Sequence, residues 1–394
     1  MAQTAGDTGS EDRAGWRRLG LFWLGALTLL LSGGGILQIL GPPNAVVQIV
    51  KAPLVKAPLV KAPIVTAAAA SHGPAARDDL TNVVVVARPA PLAIAGSGRG
   101  EAGPIADPDP AMLEPADLAG SDHKTPENLP RVAHDGRVPM RVYAAGFDPS
   151  SRRPRIGVLM AGVGLNEAES DAAIRALPGA VSLGVSPYAA AKGTGLTRLL
   201  ATARATGHEY LLELPLEPAG FPLNDPGPST LLTSLSTTAN AGRLRWILSR
   251  IDGYAGAVGI TGTMRGERLA GMPDQMDRIV TELASRGLLY IDPRVTGEPV
   301  SKEPMTKVWG RHADLVIDEP MEVEAIDRKL ARLEQLAKDQ GAALGLVTRP
   351  APVVVARIAA WSLRLAERGA ALAPVSALTI APVEPVIRVT ERAH

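Results

Sequence analysis

Between residue 155 and about residue 375, short apolar runs alternate with stretches in which apolar residues recur at helical spacing. No other feature constrains the fold as strongly, because strands joined by helical crossovers must lie parallel and be covered by those helices. Residues 156–160, 181–185, 209–214, 255–260, 288–291, 315–317 and 344–347 read as strands, with 372–375 as a last candidate. Asn166 is placed to cap the first helix, with Glu169 three residues on, and Leu177-Pro178-Gly179 ends it. Residues 194–206 form the next helix, closed by Gly207, and Asn240 reads as the cap of a third that carries Leu244, Ile247, Leu248 and Ile251. In 273–286, Met276, Ile279, Val280 and Leu283 share one helical face, and helices near 321–340 and 352–368 fill the remaining gaps. About seven repeats suit one barrel-like α/β domain, placed at 153–380, better than two domains.

What precedes this domain is of a different kind. Residues 19–40 carry no charge, and at 1.5 Å per residue they make about 33 Å of helix, enough to cross a hydrocarbon core. Arg13, Arg17 and Arg18 lie just before them, which predicts a cytoplasmic N-terminus (1–18), a single inner-membrane span and a periplasmic remainder. From residue 41 to about 152 the chain is rich in Ala, Pro, Val and Gly. Three consecutive five-residue repeats begin at Lys51, Lys56 and Lys61, each reading Lys-Ala-Pro followed by two aliphatic residues. Proline at every fifth place favours polyproline II, so this piece is expected to be a semi-rigid spacer and the rest of the linker disordered. Residues 381–394 read as a loose tail.

Composition removes several functions. A net charge of +1 gives no long-range attraction to nucleic acid, and no basic cluster is interleaved with aromatics. With no cysteine, disulfides and thiolate metal sites are excluded. Neither a Gly-x-Ser-x-Gly elbow nor a phosphate-binding loop occurs.

Chemistry is concentrated around Gly207-His208-Glu209-Tyr210-Leu211-Leu212-Glu213-Leu214-Pro215, with Glu217 just beyond and Asn224-Asp225-Pro226-Gly227-Pro228 after it. Strand period puts Glu209, Leu211 and Glu213 on one face and Tyr210, Leu212 and Leu214 on the other. Glu213 therefore stands at the carboxyl end of a strand, where α/β barrels carry their sites. This stretch resembles the second motif of polysaccharide deacetylases, and with its Asp-Pro-Gly-Pro tail it is closer still to the divergent polysaccharide deacetylase family of bacterial envelope proteins.

The resemblance implies a distorted (β/α) barrel and a metal-dependent deacetylase that removes N- or O-acetyl groups from carbohydrate, with glycan or peptidoglycan-related sugars as partners. It places Glu213 and Glu217 where family members hold the metal with two histidines. It also places Ala161 and Gly162 at the family's aspartate pair, and Ile260 within a motif that elsewhere carries His or Tyr. Those departures lead to the expectation of a degenerate metal site, or of a catalytically silent domain that binds glycan or an envelope partner. Glu213, Glu217 and Asp292, the last also at a strand end, are the candidate catalytic residues. As an all-oxygen set, Glu213 and Glu217 would suit a divalent cation such as Mg²⁺, Ca²⁺ or Mn²⁺. Asp318 is expected to cap a helix and Asp225 to fix a turn, while His208, at the far end of its strand, is expected to be structural.

Overall fold

The structure is a computed structural model and describes residue 23 together with residues 103–114, 128–189, 195–295, 305 and 307–382. Apart from Trp23, all of these fall in one compact unit, Val83–His394. The cytoplasmic segment, the expected span at 19–40 (save Trp23), the Lys-Ala-Pro repeats and residues 383–394 lie outside the described residues. Among the described residues, no helix is long and apolar enough to cross a membrane.

Among the described residues nine strands follow in chain order: β1 (Arg155–Val163), β2 (Ser182–Val185), β3 (Tyr210–Leu214), β4 (Gly256–Gly259), β5 (Leu289–Val295), β6 (Gly310–Ala313), β7 (Leu315–Val316), β8 (Ala342–Val347) and β9 (Ala371–Leu372). The longer helices between them are α1 (Glu167–Ala176), α2 (Gly195–Ala205), α3 (Thr237–Leu248), α4 (Pro273–Ser285), α5 (Val323–Gln340) and α6 (Pro352–Leu363). The sheet runs β6-β5-β4-β3-β2-β1-β8-β7, with β9 added beside β1, and neighbouring strands are parallel. β6 and β7 sit at opposite ends of that order, yet only Asp314 separates them in the chain. One extended stave thus pairs with β5 through residues 310–313 and with β8 through 315–316, giving a nearly closed barrel of seven staves. Asp314 marks the switch, with its N–H donating to Leu344 O and its carboxylate accepting from the Leu344 N–H.

Alternation along each strand divides the core into two layers. Ile156, Val158 and Met160 of β1 and Tyr210, Leu212 and Leu214 of β3 face outward, packing with Ile174, Leu199, Leu244, Ile279, Leu333 and Ile358 of the helices. Leu159, Leu211, Val258, Leu289, Ile291, Leu344 and Leu346 face inward and fill the lumen. Full burial of each such side chain contributes roughly 1.5–3 kcal/mol, so both layers matter to stability.

The segment before β1 differs from the linker expected over 41–152. Met112, Leu129, Tyr143 and Ala145 are buried, a single helical turn spans Pro139–Val142, and the Ile105 N–H donates to Arg204 O. Arg286 ties this strap down by bonding Glu114 and the Pro130 carbonyl. Packed residues thus reach back at least to Ile105. They bury isolated side chains with neither a helical nor a strand period, so a search for periodicity passes over them.

Smaller corrections share that logic. Ser236, not Asn240, caps α3 by accepting from the Ala239 N–H, while the Asn240 amide bonds the Leu232 N–H and carbonyl. β6 went unpredicted because Arg311 and His312 interrupt any apolar run. The last strand, expected at 372–375, is the short β9 at Ala371–Leu372, and residues 375–378 form a 3₁₀ turn. Asn166, by contrast, caps α1 as expected.

Candidate functional site

Glu213 is the penultimate residue of β3, and its side chain shares the inward parity of Leu211. It is buried, with 3% of its surface exposed. Its Oε1 accepts a 2.6 Å hydrogen bond from the backbone N–H of Gly162, at the end of β1. Gly162 holds φ at +72°, a left-handed conformation that glycine adopts without steric cost. Gly184 of β2 completes the niche, because a Cβ there would stand 3.2 Å from Glu213 Oε1 and 3.2 Å from Ala161 Cα. Burial pushes the Glu213 carboxyl up to about 7, against the opposing effect of the Gly162 hydrogen bond. Repulsion from Glu217 has no part in that shift.

Glu217 is equally buried but is engaged elsewhere. Its Oε2 accepts from the Thr233 N–H at 2.5 Å, and its Oε1 pairs with Arg268 at 3.2 Å. Asp292 shares the parity of the outward-facing Tyr290, not that of the inward Leu289 and Ile291. Arg294 grips both its oxygens, at 3.0 and 3.1 Å from Nε, and His312 Nδ1 lies 3.4 Å away without an aligned hydrogen bond. Burial alone would raise the Asp292 carboxyl, but His312 and Arg294 outweigh it and hold the group at about 2.

The three carboxylates therefore meet separate partners. No group of three or more His, Cys, Asp or Glu able to hold a metal occurs among the described residues. Ala161 and Gly162 have no ligating side chain, and Gly162 offers Glu213 an N–H donor where a metal site needs another acceptor. As arranged, this donor set does not fit a divalent cation.

The remaining candidates have local partners. Asp318 accepts from the Thr348 N–H and hydroxyl instead of capping a helix. Asp225 fixes its turn through the Gly227 N–H, as expected. His208 is fully buried between the Val181 and Ile174 carbonyls, a structural place. A cavity of about 400 Å³ lined by Leu235, Leu244, Gln275 and Ile279 lies between α3 and α4, not at Glu213.

Sequence reasoning read Gly162 only as a lost ligand and missed Gly184. The pattern that could have shown Gly184 is Ser182-x-Gly184 on the inward face of β2, beside Glu209 and Glu213 on the inward face of β3.

Comparison with known proteins agrees with this architecture. A family profile described as divergent polysaccharide deacetylase matches residues 158–379. An uncharacterized protein from Agrobacterium tumefaciens is similar in structure, with a TM-score of 0.57 and 32% identity, over 64% of this chain and 98% of that one. A family 4 carbohydrate esterase from Streptomyces lividans aligns over 60% of this chain and 100% of its own, with 14% identity and a TM-score of 0.37. No curated protein matches the sequence.

Proposed function

Because the chain belongs to the divergent polysaccharide deacetylase family, we propose that it acts on acetylated glycans of the bacterial cell envelope. The observation that carries this reading is Glu213, a buried carboxyl near the carboxyl end of β3 that is held by the Gly162 N–H and pushed by burial up to about 7. A group with that value is part acid and part base at neutral pH, which suits it to move a proton in either direction. As a carboxylate, it would take a proton from a water molecule as the water oxygen bonds to the acetyl carbon. It would then return that proton to the sugar oxygen or nitrogen as the acyl bond breaks, releasing acetate. The Gly162 N–H holds the carboxyl oriented throughout.

A second reading, in which the domain binds glycan without turning it over, draws on Ala161, Gly162 and Ile260, none of which supplies a ligating or proton-carrying side chain. In both readings, residues 19–40 anchor the protein in the inner membrane as a single span and place the barrel in the periplasm.

The test is to give the detergent-solubilised full-length protein N-acetylated and O-acetylated oligosaccharides, and to measure binding by calorimetry and acetate release in parallel. Acetate release that is lost in Glu213→Gln supports hydrolysis. Saturable binding without release supports the silent domain. Absence of both sinks the glycan assignment.

A further inference from the structure

At the closed end of the barrel, β3 is preceded by a second buried glutamate whose surroundings differ from those of Glu213. Glu209 is fully buried and accepts four hydrogen bonds. Its Oε1 takes the Ser182 hydroxyl at 2.7 Å and the Ser376 N–H at 3.0 Å. Its Oε2 takes the Ala145 N–H at 2.9 Å and the Ser376 hydroxyl at 2.5 Å. Ser182 is itself fixed, since its oxygen accepts from the Val375 N–H at 2.9 Å. Each carboxylate oxygen thus has two donors, supplied by three chain segments: the strap before β1, strand β2, and the 3₁₀ turn after β9.

Glu209 and Glu213 share the inward face of β3 with only Leu211 between them, four residues or roughly 13 Å apart. A strand between two parallel neighbours keeps the facing of its side chains if it slides by two residues or by four, so alternation alone does not fix its position along the barrel. The niche around Glu213 offers one N–H and close contact with Gly184, which is little to hold a strand in place. The four donors around Glu209, two of them backbone N–H groups, are matched by its carboxylate at one height. We infer that Glu209 is a positioning residue for Glu213, fixing the height of β3 from the closed end so that the Glu213 carboxyl meets the Gly162 N–H near the carboxyl ends of β3 and β1. The strap and the 375–378 turn are then parts of the site's framework, though neither touches it.

This inference rests on Glu213 being the site, but its readout is structural, so it can fail independently of the glycan assay. The reporter is the Gly162 amide in selectively [¹⁵N]glycine-labelled full-length protein, read by its proton shift and by hydrogen exchange. Glu209→Gln sets an amide NH₂ against a backbone N–H, that of Ala145 or that of Ser376, and Ser376→Ala deletes one hydroxyl donor. Leu283→Ala, buried in α4 on the outer layer, serves as the control for general loss of stability. In Glu209→Gln and Ser376→Ala the Gly162 proton should move upfield and exchange about tenfold faster. Leu283→Ala should leave both unchanged despite a comparable fall in melting temperature. If Glu209→Gln does not fold, Ser376→Ala decides alone. An unmoved Gly162 amide in the folded variants, or an equal change in Leu283→Ala, would overturn the inference.

Discussion

Glu213 and Gly162 meet through a single 2.6 Å hydrogen bond that joins the ends of β3 and β1. Family resemblance places a ligating acid at position 162, and here a backbone donor stands there. That exchange turns a place suited to a cation into one suited to a proton.

The first prediction concerns pH and stability. The unfolded carboxyl titrates near 4.5 and the native one at about 7, so the native state keeps its proton while the unfolded state loses it. Stability falls as pH rises between those values and then levels off, by roughly 3 kcal/mol in all. Chemical denaturation at a series of pH values should show this decline in wild type and its absence in Glu213→Gln. Parallel profiles would mean that Glu213 is ionised and solvated.

Asp292 should behave in the opposite sense. Its native value of about 2 lies below the usual 3.8, so it stabilises the fold above pH 3.8. That stability is lost as pH drops toward 2, by about 2 kcal/mol. Asp292→Asn should flatten the acid limb of the stability profile and cost about 3 kcal/mol at neutral pH, by leaving Arg294 half-buried and unpaired. A full acid limb in the variant would place the effect elsewhere.

Gly184→Ala tests the niche directly. The added methyl would press on Glu213 Oε1 and on the Ala161 backbone, each at 3.2 Å. Overpacking of this kind costs about 1–3 kcal/mol and should also displace the carboxyl, weakening any glycan response. A variant with wild-type melting temperature and binding would show that the niche has room to spare.

The cation question has a simple measurement. If the carboxylates keep the separate partners seen here, Mg²⁺, Ca²⁺ or Mn²⁺ at millimolar concentration should leave the melting temperature unchanged in wild type and in Glu213→Gln. A rise in wild type alone would show an ion bound to the native state.

Truncation tests the strap. A chain beginning at residue 103 should melt close to the full-length value, whereas one beginning at 153 loses Met112, Tyr143 and Ala145 from the core. Each large buried side chain removed costs about 2–5 kcal/mol, so the shorter chain should unfold at markedly lower temperature or fail to fold. Equal melting points would make the strap dispensable.

Much of this was legible in the sequence because it depends on period. The shared face of Glu209, Leu211 and Glu213 followed from strand alternation, and the helix start at Asn166 from capping chemistry. What escaped notice depends on contacts between distant segments. Nothing near Ala145 or Ser376 announces a partner at Glu209, and nothing near Gly162 announces Glu213. The strap has no repeat to read, and β6 conceals a strand behind Arg311 and His312. The niche is defined by a missing side chain at Gly184, and an absence becomes informative only once its neighbour is known.

The partner switch at Asp314 bears on how the protein behaves in a crowded compartment. An open parallel sheet would end in two rows of unpaired amides and carbonyls, ready to capture a strand from another chain. Here the stave of residues 310–316 spends its lower half on one end of the sheet and its upper half on the other. Little edge remains for a second molecule, and Ile380 covers part of that by exchanging hydrogen bonds with Gly310. Breaking the switch would do more than loosen the fold: by freeing both ends of the sheet together, it would expose two edges at which other copies of the chain could pair.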